Sequence, residues 1–410
     1  MAPFGNRILW LPIMNYSNFT TLNSSYMVLA ETVRKKFKEL FNEEPLLVRS
    51  PGRVNLIGEH TDYNMGFVLP AAIDKAIYFA ISPRNDGQCK LFAIDMNDYF
   101  EYRVSSIKQQ EKNWTNYLMG VVDQLNKGGK KITGFNCVFG GDIPLGAGLS
   151  SSAALEAGLA FSLNHIFNLG IDKLLLVKLS QKAENEFVGV NCGIMDQYIN
   201  IFGARRKVLK IDCRSLEYEY HPFINDDLRI VLCNTMVTHS LASSEYNTRR
   251  SQCVSGVKIL QQYNPEIKSL RDVPLDFLLS HKSNIDEVIF RRCKYVVEEN
   301  ERVTKACEDL EKNDFDSFGQ RMYESHRGLR DEYEVSCKEL DFLAEEALYS
   351  DKVVGARMMG GGFGGCTINL VYKSMVKKFQ RFIEEAYKKK YGRQPMVYVC
   401  KIEAGTHIIN

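Results

Sequence analysis

The sequence predicts an α+β protein with two domains. Its 410 residues are 45% hydrophobic, enough to bury a substantial core, and this length is more typical of two domains than of one. Short apolar runs typical of strands are interspersed along the chain with segments of helical periodicity. The best candidate for the boundary between the two domains is a polar turn at 220–227. We therefore predict an N-terminal extension (1–26), an N-terminal domain (27–224) and a C-terminal domain (225–410), with the site in the cleft between the domains.

The first half is predicted to mix both types of element. A helix begins at Met27, and strands are expected at 46–48, 67–69, 76–82 and 135–139. A second helix runs from Ser151 to about Asn168. A third occupies 171–187, with apolar residues on one stripe and Asp172 positioned as its N-cap.

The second half is predicted to be mainly helical. A strand at 228–233 is followed by a helix at 241–263, and the pattern stays mostly helical to about Tyr349. Apolar and polar residues alternate over 366–371, as is typical of a strand. A helix at 376–387 and a strand at 396–399 complete the pattern.

Composition and charge exclude several classes of protein. The 52 basic and 50 acidic residues are well mixed, with a net charge of +2, so no surface for nucleic acid is indicated. The eleven cysteines form no CxxC pair, which favours buried thiols in a reducing compartment over disulfides or a zinc site. The apolar run at 8–14 is short and contains Pro12, so neither a signal peptide nor a membrane span is predicted. We expect a cytoplasmic protein.

A glycine- and serine-rich turn at 144–154 lies between a predicted strand and the helix that begins near Ser151. Glycine allows backbone amides to approach an anion, and a helix N-terminus presents unpaired N–H groups. The alternative is that these residues only cap the helix. Among nucleotide sites, a P-loop is excluded because no lysine follows the glycines, and a dinucleotide fingerprint fits poorly because Ser151 stands where its third glycine belongs.

A second glycine cluster, at 360–365, matches Gly-x-Gly-x-x-Gly literally. The Rossmann fingerprint must follow a strand and open a helix. Here the helix-like segment 345–349 precedes the cluster and a strand follows it. We therefore expect a loop whose backbone closes over a ligand; a tight strand connection is the alternative.

Residues 50–64 concentrate one arginine, one histidine and two carboxylates: Arg53, Glu59, His60 and Asp62. Carboxylates and imidazole form hydrogen bonds with sugar hydroxyls and discriminate their geometry. A lone histidine would be read as structural, but its three charged neighbours favour a polyol-binding site.

This block resembles the signature of galactokinases almost residue for residue. The segments 192–197, 243–250 and 358–367 also resemble galactokinase segments in chain order and spacing, and the turn at 144–154 resembles the second motif of the wider superfamily of sugar and small-metabolite kinases. The resemblance covers nearly everything from Met27 onward. It implies the two-domain fold of GHMP kinases, with an N-terminal domain like ribosomal protein S5 domain 2, a ferredoxin-like C-terminal domain and the active site between them.

The resemblance also implies a role for each matching residue. Asp196 matches the catalytic aspartate beside the 1-hydroxyl of galactose, either as its base or as the group that orients it, and Arg53 matches the neighbouring arginine. The residues implied to hold the sugar are Glu59, His60, Asp62, Gly193 and Tyr246. The implied triphosphate loop is Gly146, Ala147, Gly148, Leu149, Ser150, Ser151 and Ser152. Ser152 and Glu184 match the magnesium ligands; 234–240 and the Gly360 cluster are expected to line the site.

The implied activity is transfer of phosphate from MgATP to the 1-hydroxyl of D-galactose, by a monomer without nucleic-acid or membrane partners. Two alternatives lie within the family. N-acetylgalactosamine kinases usually lack the Thr61 and Asn64 present here, so plain galactose is preferred. A galactose sensor tends to lose loop serines, whereas Ser150, Ser151 and Ser152 are all present. A nicotinamide-dependent oxidoreductase would rest on loose glycine patterns alone.

Overall fold

The computed structural model describes residues 22–144, 146–237, 242–350 and 353–409. The elements of the first half are α1 (Leu22–Phe41), β1 (Leu46–Asn55), β2 (Phe67–Val68), β3 (Pro70–Pro83), β4 (Gln88–Ala93), β5 (Asp98–Arg103), α2 (Asn113–Lys127), β6 (Phe135–Gly141), α3 (Ser151–Ile166), α4 (Lys173–Lys182), α5 (Met195–Phe202), β7 (Lys207–Asp212) and β8 (Tyr218–Pro222). Those of the second half are β9 (Leu228–Asn234), α6 (Ala242–Leu260), α7 (Leu275–Ser280), α8 (Glu287–Glu311), α9 (Phe315–Arg327), α10 (Lys338–Leu348), β10 (Val353–Met358), β11 (Cys366–Tyr372), α11 (Val376–Tyr391), β12 (Met396–Cys400) and β13 (His407–Ile408).

The larger sheet has the order β13-β1-β3-β6-β4-β5 and is antiparallel except for the pair β4 and β6. Because side chains alternate across a strand, β3 buries Tyr78 against α1 on one face and Phe79 on the other. Phe37 of α1 is fully buried on the first face, and α2 and α3 contribute Leu118 and Leu159 to the second. Helices therefore cover both faces.

A four-stranded antiparallel sheet, with the order β10-β11-β9-β12, organises the second half. Its strands and helices follow the βαββαβ sequence of ferredoxin-like folds, with α6 to α10 between β9 and β10 and α11 between β11 and β12. Phe379, Ile383 and Tyr387 of α11 pack against Val231 of β9. A small sheet, β2-β7-β8, lies within the first half.

The two halves are joined at the C-terminal end of the chain. Strand β13 pairs with β1, so that Val48 lies opposite Ile408. Thr406 Oγ1 donates to Asn200 Oδ1 at 2.6 Å. The last residues of the predicted C-terminal domain thus complete the sheet of the first half, and the domain boundaries at 27, 224 and 225 stay a prediction.

A β-bulge at Pro51–Arg53 brings β1 against the glycine- and serine-rich turn. Gly52 permits this approach, because a Cβ there would lie 2.9 Å from the carbonyl oxygen of Leu149. The Arg53 amide donates to that same oxygen at 3.1 Å. Bulges commonly redirect side chains next to active sites, and here the bulge is followed by the arginine of the first motif.

The structure corrects several expected boundaries. Helix α1 begins at Leu22, five residues before the predicted start at Met27. Helix α4 ends at Lys182 and continues as a π-helix, Ala183–Val188, in place of one uniform helix. Strand β10, which directly precedes the second glycine cluster, was not predicted. Asp172 caps α4 as predicted, accepting from Leu175 N at 2.9 Å. Among the described helices, none is long and apolar enough to span a bilayer.

Candidate active site

A cleft of about 460 Å³ brings together residues from all four of the galactokinase-like segments. It is lined by Arg53, Glu59, His60 and Asp62, by residues 189–193, Met195 and Asp196, and by Tyr246, Asn247 and residues 360–362. Every predicted catalytic and sugar-binding residue therefore lies on one surface. The glycine- and serine-rich turn adjoins it through Arg53.

Arg53 and Asp196 form a bidentate ion pair at the centre of the cleft. Arg53 Nε lies 2.7 Å from Asp196 Oδ1, and Nη2 lies 2.8 Å from Oδ2. Burial opposes the charge of Arg53, but its attraction to Asp196, together with Glu59 and Asp62, outweighs burial and raises the arginine pKa. Asp196 also accepts from Ser150 Oγ and occupies the first turn of α5, where the helix dipole favours a carboxylate.

Glu59 is a buried carboxylate whose two oxygens both accept hydrogen bonds from protein. Oε2 accepts from Asn55 Nδ2 at 2.9 Å, and Oε1 accepts from Gly360 N at 2.8 Å and Arg357 Nη2 at 3.1 Å. These bonds join the first motif to the second glycine cluster. Glu59 thus lies at the wall of the cleft, with its orientation fixed by both halves of the chain.

His60 lies in the left-handed region, with φ of 60°, and two linked tyrosine hydroxyls fix its ring. Nδ1 is 2.7 Å from the Tyr63 hydroxyl, which in turn lies 2.8 Å from the Tyr333 hydroxyl. Nε2 is buried without a well-formed hydrogen bond among the described residues. Burial lowers the pKa of His60 to about 3, although a hydrogen bond with the Gly361 backbone opposes the shift. The imidazole is therefore neutral at physiological pH.

Asp62, Gly193 and Tyr246 occupy adjoining parts of the wall. A Cβ on Gly193 would lie 1.7 Å from Asp62 Oδ2, so only glycine leaves room for that carboxylate. Burial, with the nearby charges of Asp196 and Glu59, raises the pKa of Asp62 to about 6. The Tyr246 ring lies 5.5 Å from the His60 ring and 5.1 Å from the Tyr63 ring.

The glycine- and serine-rich turn alternates between buried and exposed residues. Ala147 and Leu149 are buried, whereas Gly146 and Gly148 are exposed, with φ near 70° and open space where a Cβ would project. Ser150 is also left-handed, at φ of 57°, and its side chain makes no capping bond. Backbone amides in such alternating conformations form anion-binding concavities. The described geometry favours an anion site over a simple helix cap.

Glu184 and Ser152 lie side by side behind this turn. Burial raises the pKa of Glu184, while hydrogen bonds from Cys192 and Ser152 oppose the shift. Without the family resemblance Glu184 would pass for a surface charge on a helix, but it is buried within the π-helix. Two further buried side chains contact it, Glu156 and Gln197. Within the described part of the chain, no group of three His, Cys, Asp or Glu side chains is arranged to hold a metal.

The sequence profiles of three known families match this chain. The galactokinase galactose-binding signature matches residues 35–83, and the N- and C-terminal domains of GHMP kinases match 116–204 and 306–389. The chain is 42% identical to the galactokinase of Roseiflexus sp. strain RS-1 over 91% of its length and 95% of that protein. It is 41% identical to the galactokinase of Clostridium acetobutylicum, over 94% of its length and all of that protein. The chain belongs to the galactokinase family.

Solved structures agree with this membership and with the fold. The crystal structure of Lactococcus lactis galactokinase complexed with galactose superposes with a TM-score of 0.88 at 36% identity, covering 92% of this chain and 99% of that one. A mevalonate kinase superposes with a TM-score of 0.60 at 18% identity, which shows the shared fold alone. The predicted family and the predicted GHMP-kinase fold are thus confirmed.

The second glycine cluster of this galactokinase-family chain lines the cleft and forms a tight connection between β10 and β11. Gly360, Gly361 and Gly362 line the cleft. Gly362 and Gly364 are held close to other backbone, since a Cβ would lie 2.0 Å from Val335 O and 2.4 Å from Val237 O respectively. The segment is still not a Rossmann turn: a strand precedes it, contrary to expectation, but another strand follows where a helix is required. Of the expected lining segment 234–240, residues 238–240 lie outside the described residues.

Helix α8 and strand β10 supply buried residues that the sequence did not identify. Tyr295 donates to the carbonyl oxygen of Glu59 at 3.0 Å, and Glu299 Oε1 accepts from Gly58 N at 2.9 Å. Arg357 is fully buried and donates to the carbonyl oxygens of Leu56 and Asn55 at 2.7 and 2.6 Å. These residues support the loop of the first motif, residues 56–64, from the other half of the galactokinase-family fold. No local pattern marks them, because their partners are more than 200 positions away in the sequence.

Proposed function

We propose that this chain is an ATP-dependent galactokinase that converts D-galactose and MgATP to galactose 1-phosphate and ADP. The oxygen of the 1-hydroxyl attacks the γ-phosphorus, an O–P bond forms, and the bond between the γ-phosphorus and the bridging oxygen breaks to release ADP. The hydroxyl proton passes to Asp196 or to an oxygen of the transferred group. Phosphoryl transfer depends chiefly on positioning and charge stabilisation.

The observation that supports this proposal best is the position of the Arg53–Asp196 pair. On one side lie Glu59, His60 and Asp62 at the polar wall of the cleft; on the other, Arg53 Nη1 donates to the carbonyl oxygen of Gly148 in the turn. A sugar at the wall and a triphosphate on the turn would meet at this pair. Asp196 would orient the 1-hydroxyl and Arg53 would offset charge on the phosphoryl group.

The proposed magnesium site consists of Ser152 and Glu184. A hydroxyl and one carboxylate suit a hard cation that keeps several waters and completes its coordination with phosphate oxygens, and the adjacency of the two side chains fits this ion. When bound, Mg²⁺ would neutralise charge on the phosphates. The amides of Gly146, Ala147, Gly148, Leu149 and Ser151 would bind the triphosphate.

The wider setting follows from the same proposal. We propose a cytoplasmic monomer, in keeping with the mixed surface charge and the eleven free thiols, nine of them buried. N-acetylgalactosamine kinase and galactose sensor remain the alternatives. Thr61 and Asn64 distinguish this chain from most N-acetylgalactosamine kinases, and both fix the loop at 56–64. Thr61 Oγ1 donates to Gly58 O at 2.9 Å and Asn64 Nδ2 to His60 O at 2.8 Å.

The deciding experiment is a coupled assay of ADP release over a panel of free sugars, with the product phosphate located by ³¹P NMR. We expect galactose to be the best substrate and the phosphate to be on the anomeric oxygen. Faster turnover of N-acetylgalactosamine would favour the first alternative. Binding of galactose and ATP without ADP release would favour the sensor.

A further inference from the structure

Gln197 is a fully buried side chain in the site to which the proposed mechanism gives no role. Its Nε2 lies between two carboxyl groups, 2.7 Å from Glu184 Oε2 and 3.2 Å from Glu156 Oε2. Amide hydrogens that bridge two buried acidic side chains restrain both of them, because burial strengthens those bonds and makes their loss costly. We propose that Gln197 is a positioning residue that orients Glu184 toward the magnesium ion. The inference rests on the proposed function of Ser152 and Glu184.

Several neighbouring side chains hold the Glu184 carboxylate in place. Gln197 donates to Oε2, and the Cys192 thiol lies 3.3 Å from the same atom. Ser152 and Glu156 also form hydrogen bonds with this carboxylate. Groups that hold a metal-ligating carboxylate in this way fix its direction, and their loss commonly costs about 10- to 100-fold in metal affinity.

Gln197 is next to Asp196 in the chain, so one turn of α5 contributes to both the acceptor side and the proposed metal side of the site. It directly follows Asp196 in the first turns of α5, and successive side chains project about 100° apart around a helix. The same turn therefore directs Asp196 toward Arg53 and Gln197 toward Glu184. A displacement of this turn would therefore move Asp196, beside the acceptor hydroxyl, and Gln197, which holds Glu184, at the same time.

The chain provides a matched control in Gln124 of α2. This side chain is also buried, and its Nε2 donates to Glu186 Oε2 at 3.1 Å. Glu186 belongs to the same π-helix as Glu184 but is exposed, whereas Glu184 is buried. Gln197→Met and Gln124→Met thus remove the same kind of bond to the same segment, and only the first bond involves the proposed metal ligand.

The test compares both variants with the parent in the full-length chain. Mn²⁺ affinity is measured by electron paramagnetic resonance with a non-hydrolysable ATP analogue, and the Mg²⁺ concentration for half-maximal turnover is measured separately. For Gln197→Met we expect both metal midpoints, the Mn²⁺ dissociation constant and the Mg²⁺ concentration for half-maximal turnover, to rise about tenfold or more. The galactose Kd should change less than twofold. For Gln124→Met we expect both midpoints to stay at the parent value.

Gln197→Asn keeps the amide but shortens its reach, and is expected to shift both midpoints in the same direction should the methionine variant not fold. Equal metal midpoints in the Gln197 variants and in Gln124→Met would overturn the proposal, even if the melting temperature fell. The Mn²⁺ measurement needs no turnover. Absence of galactose-dependent ADP release in the parent would count against the proposed function without affecting this comparison.

Discussion

The pair formed by Arg53 and Asp196 shows how single residues determine this site. Two parallel hydrogen bonds, at 2.7 and 2.8 Å, fix the planes of the guanidinium and the carboxylate relative to one another. Lysine could not reproduce this arrangement, because an ammonium group provides a point charge without the planar fork. The pair therefore provides both a charge and a direction.

Asp196→Asn is expected to separate binding from catalysis. The change keeps the shape of the side chain but removes its charge, so galactose binding should largely survive while kcat falls about 10²- to 10⁴-fold. The measurements are ADP release and calorimetric galactose titration. Asp316→Asn, in the first turn of α9 and exposed, should leave both unchanged. Near-normal turnover of Asp196→Asn would reduce Asp196 to a binding residue.

Gly193→Ala tests the closest approach in the cleft. The new methyl group would lie 1.7 Å from Asp62 Oδ2, so Asp62 must leave its place. We expect the galactose Kd to weaken about tenfold or more, which corresponds to about 1.4 kcal/mol. Gly128→Ala is the control, since its φ of −78° is ordinary and its Cβ would meet nothing nearer than 3.3 Å. An unchanged Kd for Gly193→Ala would contradict the described position of Asp62.

Asp62→Asn is expected to make stability less dependent on pH. Because the folded-state pKa, about 6, lies above the ordinary value near 4, ionisation of Asp62 destabilises the fold as the pH rises through 6. The variant has no such charge. Its melting temperature should exceed the parent's at pH 8, and the difference should shrink at pH 5. A difference that is the same at both pH values would argue against this origin.

At the scale of elements, α8 and β10 hold the loop at 56–64 that follows β1. The motifs of this loop could be predicted because they are local in sequence and combine residue types suited to polyols. Arg357 could not, since its contacts with Asn55, Leu56 and Glu59 exist only after β10 has paired in its sheet. Glu156 was likewise missed, because a carboxyl in a helix reads as a surface charge until burial is known.

Arg357→Met is expected to destabilise the fold by about 3–5 kcal/mol, the usual result of removing one partner from a buried ion pair. Urea unfolding measures the loss. Glu59→Gln in the same chain should recover part of it, because the carboxyl left without Arg357 is then neutral. Arg205→Met, which breaks an exposed pair with Glu403, should cost less than about 1 kcal/mol. A strictly additive double variant would show that the two side chains are not coupled.

On the scale of the whole molecule, the chain returns to its first sheet after completing its second. Gly405 N donates to Gly203 O at 2.8 Å and Thr406 N to Asn200 O at 2.7 Å, immediately before β13 pairs with β1. The length, the mixture of strands and helices and the motif order were enough to predict the fold class. Pairing between β1 and β13, separated by most of the chain, leaves no periodic signal in the sequence.

Deletion of residues 405–410 is expected to lower the melting temperature and to reduce turnover together. Asn200 lies on α5, whose first turn carries Asp196, so the lost contacts affect the site as well as the sheet edge. Differential scanning fluorimetry and the ADP assay provide the measurements. Thr406→Val, which removes only the hydroxyl bond to Asn200, should show a smaller change in the same direction. Unaltered melting and turnover after the deletion would mean that β13 contributes little.

The bond between Arg357 and Glu59 also limits how members of this family can be recombined. A chimaera joined near residue 224 would place the loop of one parent against the arginine, tyrosine and glutamate of the other. Sugar preference could then change without any substitution at the wall of the cleft. Exchange of sugar specificity between relatives is therefore best attempted by grafting the loop together with its supports from α8 and β10.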